Sequence, residues 1–286
     1  MAGLGALGLL PLPVLGWLAD AVAWSFRWFG GNRAFVTRRN LALCFPGATL
    51  VESSLIFTRH ARIVAHVYLS FGRLFSHSRA DLNRRFDVTG QDCIEQQIAA
   101  GRNIILLTPH TVAMEVAGHW IAENYHIATV VRVHDGNALL DWFVTRLRSR
   151  RALIFSHVTN LLPLIRAVRS GRHLFYLPDD DHGPEENTVF APLFGVQKAT
   201  PASLGRLARA CAAAVIPTAT AYDPDRRRYR IEFLPALPDY PTGDAQQDAV
   251  RMNAAIEQLI TRDAPQYMWS AKMFRTRPPG AAKRYR

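Results

Sequence analysis

The pattern of apolar and polar positions divides the chain into short apolar runs and longer amphipathic segments. Short runs of the kind that form buried strands lie at residues 104–107, 127–133, 173–177, 215–221 and 229–234. Segments with the spacing of an amphipathic helix lie at residues 51–75, 90–100, 111–124, 137–148, 160–169, 201–214 and 244–263. Strands that alternate with helices predict an α/β fold with a mixed, largely parallel sheet flanked by helices on both faces.

The N-terminal segment is almost continuously apolar through its first 29 residues. A stretch of this length can span a bilayer, whereas its two prolines and Asp20 equally favour a kinked or interfacial helix. The basic residues that follow predict that the body of the protein stays in the cytoplasm. We therefore predict a membrane-anchoring helix (residues 1–30) and a second domain (residues 31–286) that starts with a connecting segment at residues 32–46. Burial of the N-terminal helix in the globular domain is the alternative.

Composition and charge narrow the class of partner. An apolar content of 49% is too high for a disordered chain, and the net charge of +11 calls for an anionic partner. No nucleic-acid-binding motif accompanies the charge, so a phosphorylated glycolipid, a membrane surface or an acidic protein fits better. The three cysteines have no paired spacing, which predicts a reducing compartment without a disulfide or a zinc site.

The candidate chemistry lies where the run at residues 104–107 meets the helix predicted at residues 111–124. His110 falls in the turn between them, and Glu115 follows five positions later. On one regular helix these side chains would lie roughly 140° apart, so they meet only if His110 is off the helix. A carboxylate beside an imidazole fixes its tautomer, which is the arrangement of a general base acting on a hydroxyl group.

Five segments resemble one family. HTVAME at residues 110–115 is similar to the H-x4-D/E signature of glycerolipid and lysophospholipid acyltransferases. Four more segments resemble the late acyltransferases of lipid A biosynthesis, the lauroyl and myristoyl transferases. They are RNLALCFP at 39–46, NALLD…RLRS at 137–149, YLPDDDHGP…FAPLFG at 176–195 and PQYMW…FRTRP at 265–278. The matches are collinear over nearly the whole chain.

The resemblance implies a glycerolipid acyltransferase-like fold and transfer of a fatty acyl chain from acyl carrier protein to a lipid A precursor. It implies the cytoplasmic face of the inner membrane of a Gram-negative bacterium, with no cofactor and no catalytic metal. His110 would be the general base and Glu115 its orienting group, with no acyl-enzyme. Arg146 or Arg148 would contact substrate. Asp179 and Asp181 are interpreted as acceptor-site or loop-ordering residues.

Some alternatives stay open at this point. Asp179, Asp181 and His182 could ligate a metal, with Glu115 and His119 as a second pair. The donor could be acyl-CoA or the acceptor another polar lipid, and a catalytically inactive, lipid-binding paralogue is conceivable. The family core G-H-x-x-N-W-E is altered here to PHTVAME. Backbone amides at the start of the helix predicted from residue 111 are candidate oxyanion donors.

Overall fold

The computed structural model describes residues 11–70, 79–131, 152–156, 161–181, 183 and 188–285. Its α-helices, in chain order, are α1 (Leu12–Phe29), α2 (Gly31–Cys44), α3 (Leu50–Ser70), α4 (Arg79–Asn83), α5 (Gln91–Ala99), α6 (Met114–Asn124), α7 (Leu162–Arg169), α8 (Ser203–Cys211) and α9 (Ala245–Arg262). Its strands are β1 (Phe86–Thr89), β2 (Asn103–Leu107), β3 (Ile127–Val131), β4 (Ala152–Ser156), β5 (His173–Tyr176), β6 (Thr188–Leu193), β7 (Val196–Pro201), β8 (Ala213–Asp223) and β9 (Arg228–Phe233).

Seven strands form one sheet in the order β1-β9-β8-β2-β5-β3-β4. Every neighbouring pair is parallel except β8 and β9, which are antiparallel. The strands β6 and β7 form a separate antiparallel hairpin. The predicted fold class, a mixed and largely parallel sheet flanked by helices, is confirmed.

The sheet carries a hydrophobic core on each face because successive side chains of a strand point to opposite sides. On β2, Ile105 and Leu107 belong to one core together with residues of α7, α8 and α9. Ile104 and Leu106 belong to the other core together with residues of α5 and α6. All four side chains are fully buried, as expected of the continuous apolar run of a central parallel strand.

Helix α1 packs on α3 through small side chains. Ala19 and Ala23 lie against Ala61 and Ala65. Among the helices in the described part of the chain, none is long and apolar enough to cross a membrane. The division into domains at residue 30 stays a prediction.

Several predicted boundaries are wrong. Residues 32–46 were interpreted as a connecting segment, but most of them belong to α2. The helix predicted from residue 111 begins at Met114, and the helix predicted over 201–214 ends at Cys211. Strands β1, β4, β6 and β7 were not predicted. The helix predicted over 137–148 and the end of that predicted over 51–75 lie outside the described residues.

Candidate active site

His110 and Asp179 meet at the carboxyl edge of the sheet. His110 follows β2 and Asp179 follows β5, and these strands are parallel neighbours with Leu107 opposite Tyr176. The pairing continues one residue further, since the Thr108 N–H donates to the Tyr176 carbonyl at 3.0 Å. Chain segments that leave adjacent parallel strands emerge side by side, which is why ligand sites of α/β sheets form at this edge.

The imidazole of His110 is held by the carboxylate of Asp179. Nδ1 of His110 lies 2.6 Å from Oδ1 of Asp179, and the backbone N–H of His110 donates to Oδ2 at 2.8 Å. The Asp179 side chain is buried, whereas that of His110 is 28% exposed. With an anionic carboxylate on Nδ1, the proton sits on that nitrogen and Nε2 carries the lone pair.

The electrostatics of the site keep Asp179 ionised. Burial alone would raise the pKa of Asp179, but the electrostatic attraction of His110 and hydrogen bonds from His110 and Tyr267 outweigh it, so the pKa is below its usual value. The Tyr267 hydroxyl donates to Oδ2 at 2.9 Å. Burial and the Asp179 charge raise the pKa of Tyr267, which keeps this phenol protonated as a donor.

The segment that contains Tyr267 also fixes the turn around His110. Thr111 and Tyr267 form an isolated antiparallel bridge. The Met268 N–H donates to the His110 carbonyl at 2.8 Å, and the Val112 N–H donates to the Gln266 carbonyl at 2.8 Å. The turn is therefore held from both sides, by Asp179 after β5 and by this C-terminal segment.

Gln266 in turn anchors that segment to the sheet. Its side-chain amide accepts from the Tyr222 N–H and donates to the Tyr222 carbonyl, both at 2.9 Å. The Gln266 side chain thus makes the pair of hydrogen bonds to β8 that a residue of a neighbouring strand would otherwise make. The Asn40 amide, from the early RNL segment, holds the next stretch by donating at 2.7 Å to the carbonyls of Trp269 and Ala271.

Glu115 lies in the first turn of α6 and is half-buried. The pKa of Tyr68 is raised, chiefly by burial of Tyr68 and next by the negative charge of Glu115. The carboxylate on Nδ1 of His110 is that of Asp179, so the structure brings to the imidazole a residue for which the sequence indicated a different role. The role predicted for Glu115 stays a prediction. Arg146 and Arg148 lie outside the described residues.

Asp181 orders the loop after β5. One carboxylate oxygen accepts from the Gly183 N–H at 3.1 Å and the other from the Thr276 N–H at 2.6 Å. The Arg275 guanidinium donates to the Asp181 carbonyl at 2.9 Å. Asp181 therefore ties the loop to the FRTRP segment. Its predicted role at the acceptor site stays a prediction.

The rival metal ligands are engaged with protein groups. Asp179 accepts from His110 and Tyr267, and His119 lies 3.7 Å from Glu123 on its own helix. In the part of the chain that the structure describes, no three His, Cys, Asp or Glu side chains come together as a metal site. His182 lies outside that part.

Two amides in the turn are already used. The Thr111 N–H donates to the Pro109 carbonyl at 2.8 Å, and the Val112 N–H donates to Gln266. The N–H groups of Thr111 and Val112 are therefore not available as oxyanion donors. The helix itself begins three residues later than predicted, at Met114.

A cavity of about 450 Å³ adjoins the same turn from the side of β8 and β9. Pro109, Thr111 and Tyr267 contribute to its wall. Arg230 and Arg262, also in the wall, are paired with Asp263 and Glu232, each at 2.7 Å. The cavity therefore has mixed polarity, with its cations already partnered.

The sequence predicts His110 as a site residue, but it predicts neither the contact of Asp179 with Nδ1 nor the hydrogen bond from Tyr267. One sequence feature could have indicated that Asp179 lies beside His110: both residues come just after an apolar run that predicts a buried strand. Tyr267 carried only the family motif PQYMW, and aromatic residues at that spacing are typical of core packing.

Comparison with known proteins gives one family. The family model described as bacterial lipid A biosynthesis acyltransferase matches residues 1–276. A lipid A biosynthesis acyltransferase of Haemophilus influenzae is 33% identical over 242 residues, covering 84% of this chain and 75% of the relative. The lauroyltransferase and the palmitoleoyltransferase of lipid A biosynthesis from Escherichia coli are 32% and 30% identical over 289 residues, covering 99% of this chain and 93% of each relative.

These relatives share one chemistry, and the protein is an acyltransferase. The chain belongs to the bacterial lipid A biosynthesis acyltransferase family. The resemblance read from five sequence segments is thereby confirmed.

Proposed function

We propose that this protein transfers a fatty acyl chain from acyl carrier protein to a hydroxyl group of a lipid A precursor. The proposal places it at the cytoplasmic face of the inner membrane of a Gram-negative bacterium. The observation that carries the chemistry is the pair of His110 with the buried carboxylate of Asp179. The family and its relatives, named for acyl transfer in lipid A biosynthesis, support the substrate class.

In the proposed reaction, Nε2 of His110 removes the proton from the acceptor hydroxyl. The hydroxyl oxygen then forms a bond to the thioester carbonyl carbon. When the tetrahedral intermediate collapses, the carbon–sulfur bond breaks and the thiolate takes the proton back from Nε2. The imidazolium exists only between these steps, and the ionised Asp179 at 2.6 Å stabilises it.

The two carboxylates receive separate roles. Asp179 fixes the tautomer of His110 through Nδ1, because its contact with that nitrogen is direct. Glu115, in the first turn of α6, keeps the charge-balancing role predicted for it. Arg146 and Arg148 are proposed substrate contacts, since an arginine fork suits phosphate and oxyanion groups.

Membrane association is proposed to be interfacial. The outer face of α1 exposes a row of large apolar side chains, which are Val14, Trp17, Leu18, Val22, Trp24, Trp28 and Phe29. Exposed arginines lie at its C-terminal end and just beyond it, among them Arg27 and Arg33. Aromatic side chains beside basic ones are typical of helices that lie in the headgroup region of anionic membranes.

The test is acyl transfer by the detergent-solubilised full chain, given acyl carrier protein thioesters of several lengths and a lipid A precursor with its inner sugars. We expect wild-type transfer and losses on the order of 10²-fold or more in His110→Ala and Glu115→Ala. Asp179→Asn should lose more than Glu115→Gln, because the amide presents the wrong hydrogen-bonding group to Nδ1. His126→Ala, at an exposed histidine, is the matched control.

Each other outcome has a definite meaning. Transfer that persists in His110→Ala would remove the general-base mechanism. If acyl-CoA thioesters were used at the same rate, acyl carrier protein would no longer be the proposed donor. Absence of transfer by the wild type to this acceptor would overturn the proposed substrate.

A further inference from the structure

Lys198 is a fully buried lysine beside the candidate active site. It lies on β7, and its side chain is completely excluded from solvent. Nζ donates to the Ala199 carbonyl at 3.0 Å and lies 3.4 Å from the Asp180 carbonyl. Burial of an ammonium group is costly in free energy unless hydrogen bonds and opposite charges compensate for the lost hydration. We therefore expect compensating groups around Lys198.

Those surroundings are the three acids that follow β5. Burial lowers the pKa of Lys198, while the negative charges of Asp179, Asp181 and Asp180 act in the opposite direction. Asp179 and Asp181 are themselves buried. The ammonium therefore lies at the backbone of Asp180, and the charges of the buried carboxylates on either side of that residue act on it.

Other charged groups face the same acids from neighbouring elements. The C-terminal tail brings Arg275, whose guanidinium donates to the Asp181 carbonyl. The turn after β2 brings His110, and the segment before the tail brings the neutral donor Tyr267. Arg275 is exposed and bonds to the main chain, so among these groups Lys198 is the basic side chain that is buried with the carboxylates.

We propose that Lys198 is a positioning residue for the His110–Asp179 pair: its buried ammonium holds the main chain at Asp180 and neutralises part of the negative charge at residues 179–181. This inference rests on the proposed role of His110 as the general base. It adds a contact made through the hairpin β6–β7, which has no other part in the proposed chemistry. Lys198 does not touch the imidazole and acts on it through Asp179.

The charge of Lys198 has a consequence of definite sign. A cation behind Asp179 opposes protonation of the imidazole, and its removal leaves the negative charge of residues 179–181 less balanced, which favours the imidazolium. Since the general base has to be neutral to accept a proton, loss of the charge should move the acidic limb of the rate profile to higher pH. A lysine that only fills space would leave that limb in place.

The test compares the wild type with Lys198→Met and Lys198→Gln in full-chain acyl transfer between pH 5 and 9. Methionine removes both the charge and the donor, whereas glutamine retains a donor for the Asp180 carbonyl. We expect kcat to fall about tenfold or more in both, KM for the acceptor to change little, and the acidic limb to move up by about one pH unit. Lys283→Met, at an exposed lysine, should match the wild type.

Thermal unfolding of each variant separates folding from positioning. A folded Lys198→Met with the wild-type kcat and an unmoved acidic limb would overturn the inference, as would a Lys198→Gln with a wild-type profile. If Lys198→Met does not fold, the glutamine variant alone decides. Failure of the proposed function itself looks different, because then the wild type lacks transfer or His110→Ala retains it.

Discussion

Three hydrogen bonds converge on the carboxylate of Asp179. Two come from His110, through Nδ1 and the backbone N–H, and the third comes from the Tyr267 hydroxyl. A buried carboxylate without donors would raise its pKa and become neutral, and a neutral acid stabilises an imidazolium poorly. The bond from Tyr267 thus contributes to the charge on which the proposed proton transfer depends.

Tyr267→Phe isolates that contribution. The substitution removes one donor from a charged, buried acceptor and leaves the ring beside Trp269, with its centroid 5.0 Å away. A hydrogen bond to a charged group contributes about 1.5–3 kcal/mol, so we expect kcat to fall on the order of tenfold and the melting temperature to drop. Both are measured on the purified variant, by acyl transfer and by circular dichroism.

The control is Tyr240→Phe, which removes a buried hydroxyl that faces the Asp248 carbonyl at 3.5 Å. That variant should keep the wild-type kcat. A Tyr267→Phe enzyme with unchanged kcat would show that the two bonds from His110 hold Asp179 without help.

At the residue scale, the sequence predicts His110 but not its partner. An apolar run, a proline and a histidine before a helix are local signals within ten residues. Asp179 lies 69 positions further on, and it reaches His110 only because β2 and β5 are neighbours in the sheet. The order of strands in the sheet depends on how all the connections cross it, and the local spacing of apolar residues does not predict that order.

At the element scale, α3 supports the C-terminal segment that carries Tyr267. His60 of α3 is buried, and its Nδ1 lies 3.0 Å from the carbonyl of Pro265. That carbonyl directly precedes the segment from Gln266 to Met268, which holds the turn around His110. Burial lowers the pKa of His60 from 6.5 to about 4, so this imidazole is neutral at working pH and donates through Nδ1–H.

The lowered pKa makes the free energy of unfolding depend on pH. Between pH 6.5 and about 4 the unfolded chain protonates this histidine and the folded chain does not. The contribution of His60 is therefore complete above pH 6.5 and declines as the pH falls toward 4. The shift corresponds to about 3 kcal/mol.

His60→Asn retains a donor for the Pro265 carbonyl. Between pH 6.5 and pH 4 its free energy of unfolding should fall by about 3 kcal/mol less than that of the wild type. The free energy of unfolding would be measured with urea at half-unit steps from pH 7 to pH 4. His126→Asn, at an exposed histidine, should retain the wild-type slope. An identical slope in His60→Asn would mean that the folded protein accommodates the charged imidazole.

Tertiary pairing explains why some element boundaries were predicted wrongly. The alanine-rich stretch after residue 201 favours a helix throughout. Yet Ala213 and Ala214 pair with Asn103 and Ile104 as the start of β8, and Ala212, at φ +49°, ends α8. Long helices with a clear apolar stripe, such as α9, were predicted to within a residue at each end.

At the scale of the whole molecule, the position of α1 depends on a polar contact. Asp20 accepts from Arg62 at 2.7 Å and lies 3.1 Å from Nε2 of His66, both on α3. Ala19 and Ala23 of the same helix pack against α3, and the aromatic side chains on the other side of α1 are exposed. The apolar N-terminal sequence is thus divided into a docking face and a solvent face, which average hydrophobicity does not reveal.

The ends of α1 and α3 extend that outer surface. The helices run antiparallel, with Asp20 beside Arg62 and the Phe26 ring stacked on Phe57. The start of α3, where Leu50 and Val51 are almost fully exposed, therefore lies at the same end as Phe29. An apolar surface of this extent is expected to mark an interaction site, and the proposed occupant is the bilayer interface.

Removing two tryptophans tests this assignment. Trp17 and Trp28 are 81% and 69% exposed, so Trp17→Ser with Trp28→Ser should leave the fold intact. Loss of two interfacial aromatic side chains should weaken binding by about 3 kcal/mol, on the order of 100-fold in the partition coefficient. Binding would be measured by co-sedimentation with vesicles of phosphatidylethanolamine and phosphatidylglycerol.

The matched control replaces two exposed apolar residues elsewhere, Ile98→Ser with Val250→Ser. We expect the control to bind vesicles like the wild type and both double variants to retain transfer in detergent micelles. Equal vesicle binding by the tryptophan variant would exclude α1 as the membrane contact. Loss of transfer in micelles would instead assign these tryptophans to substrate delivery, since detergent removes the need for a bilayer.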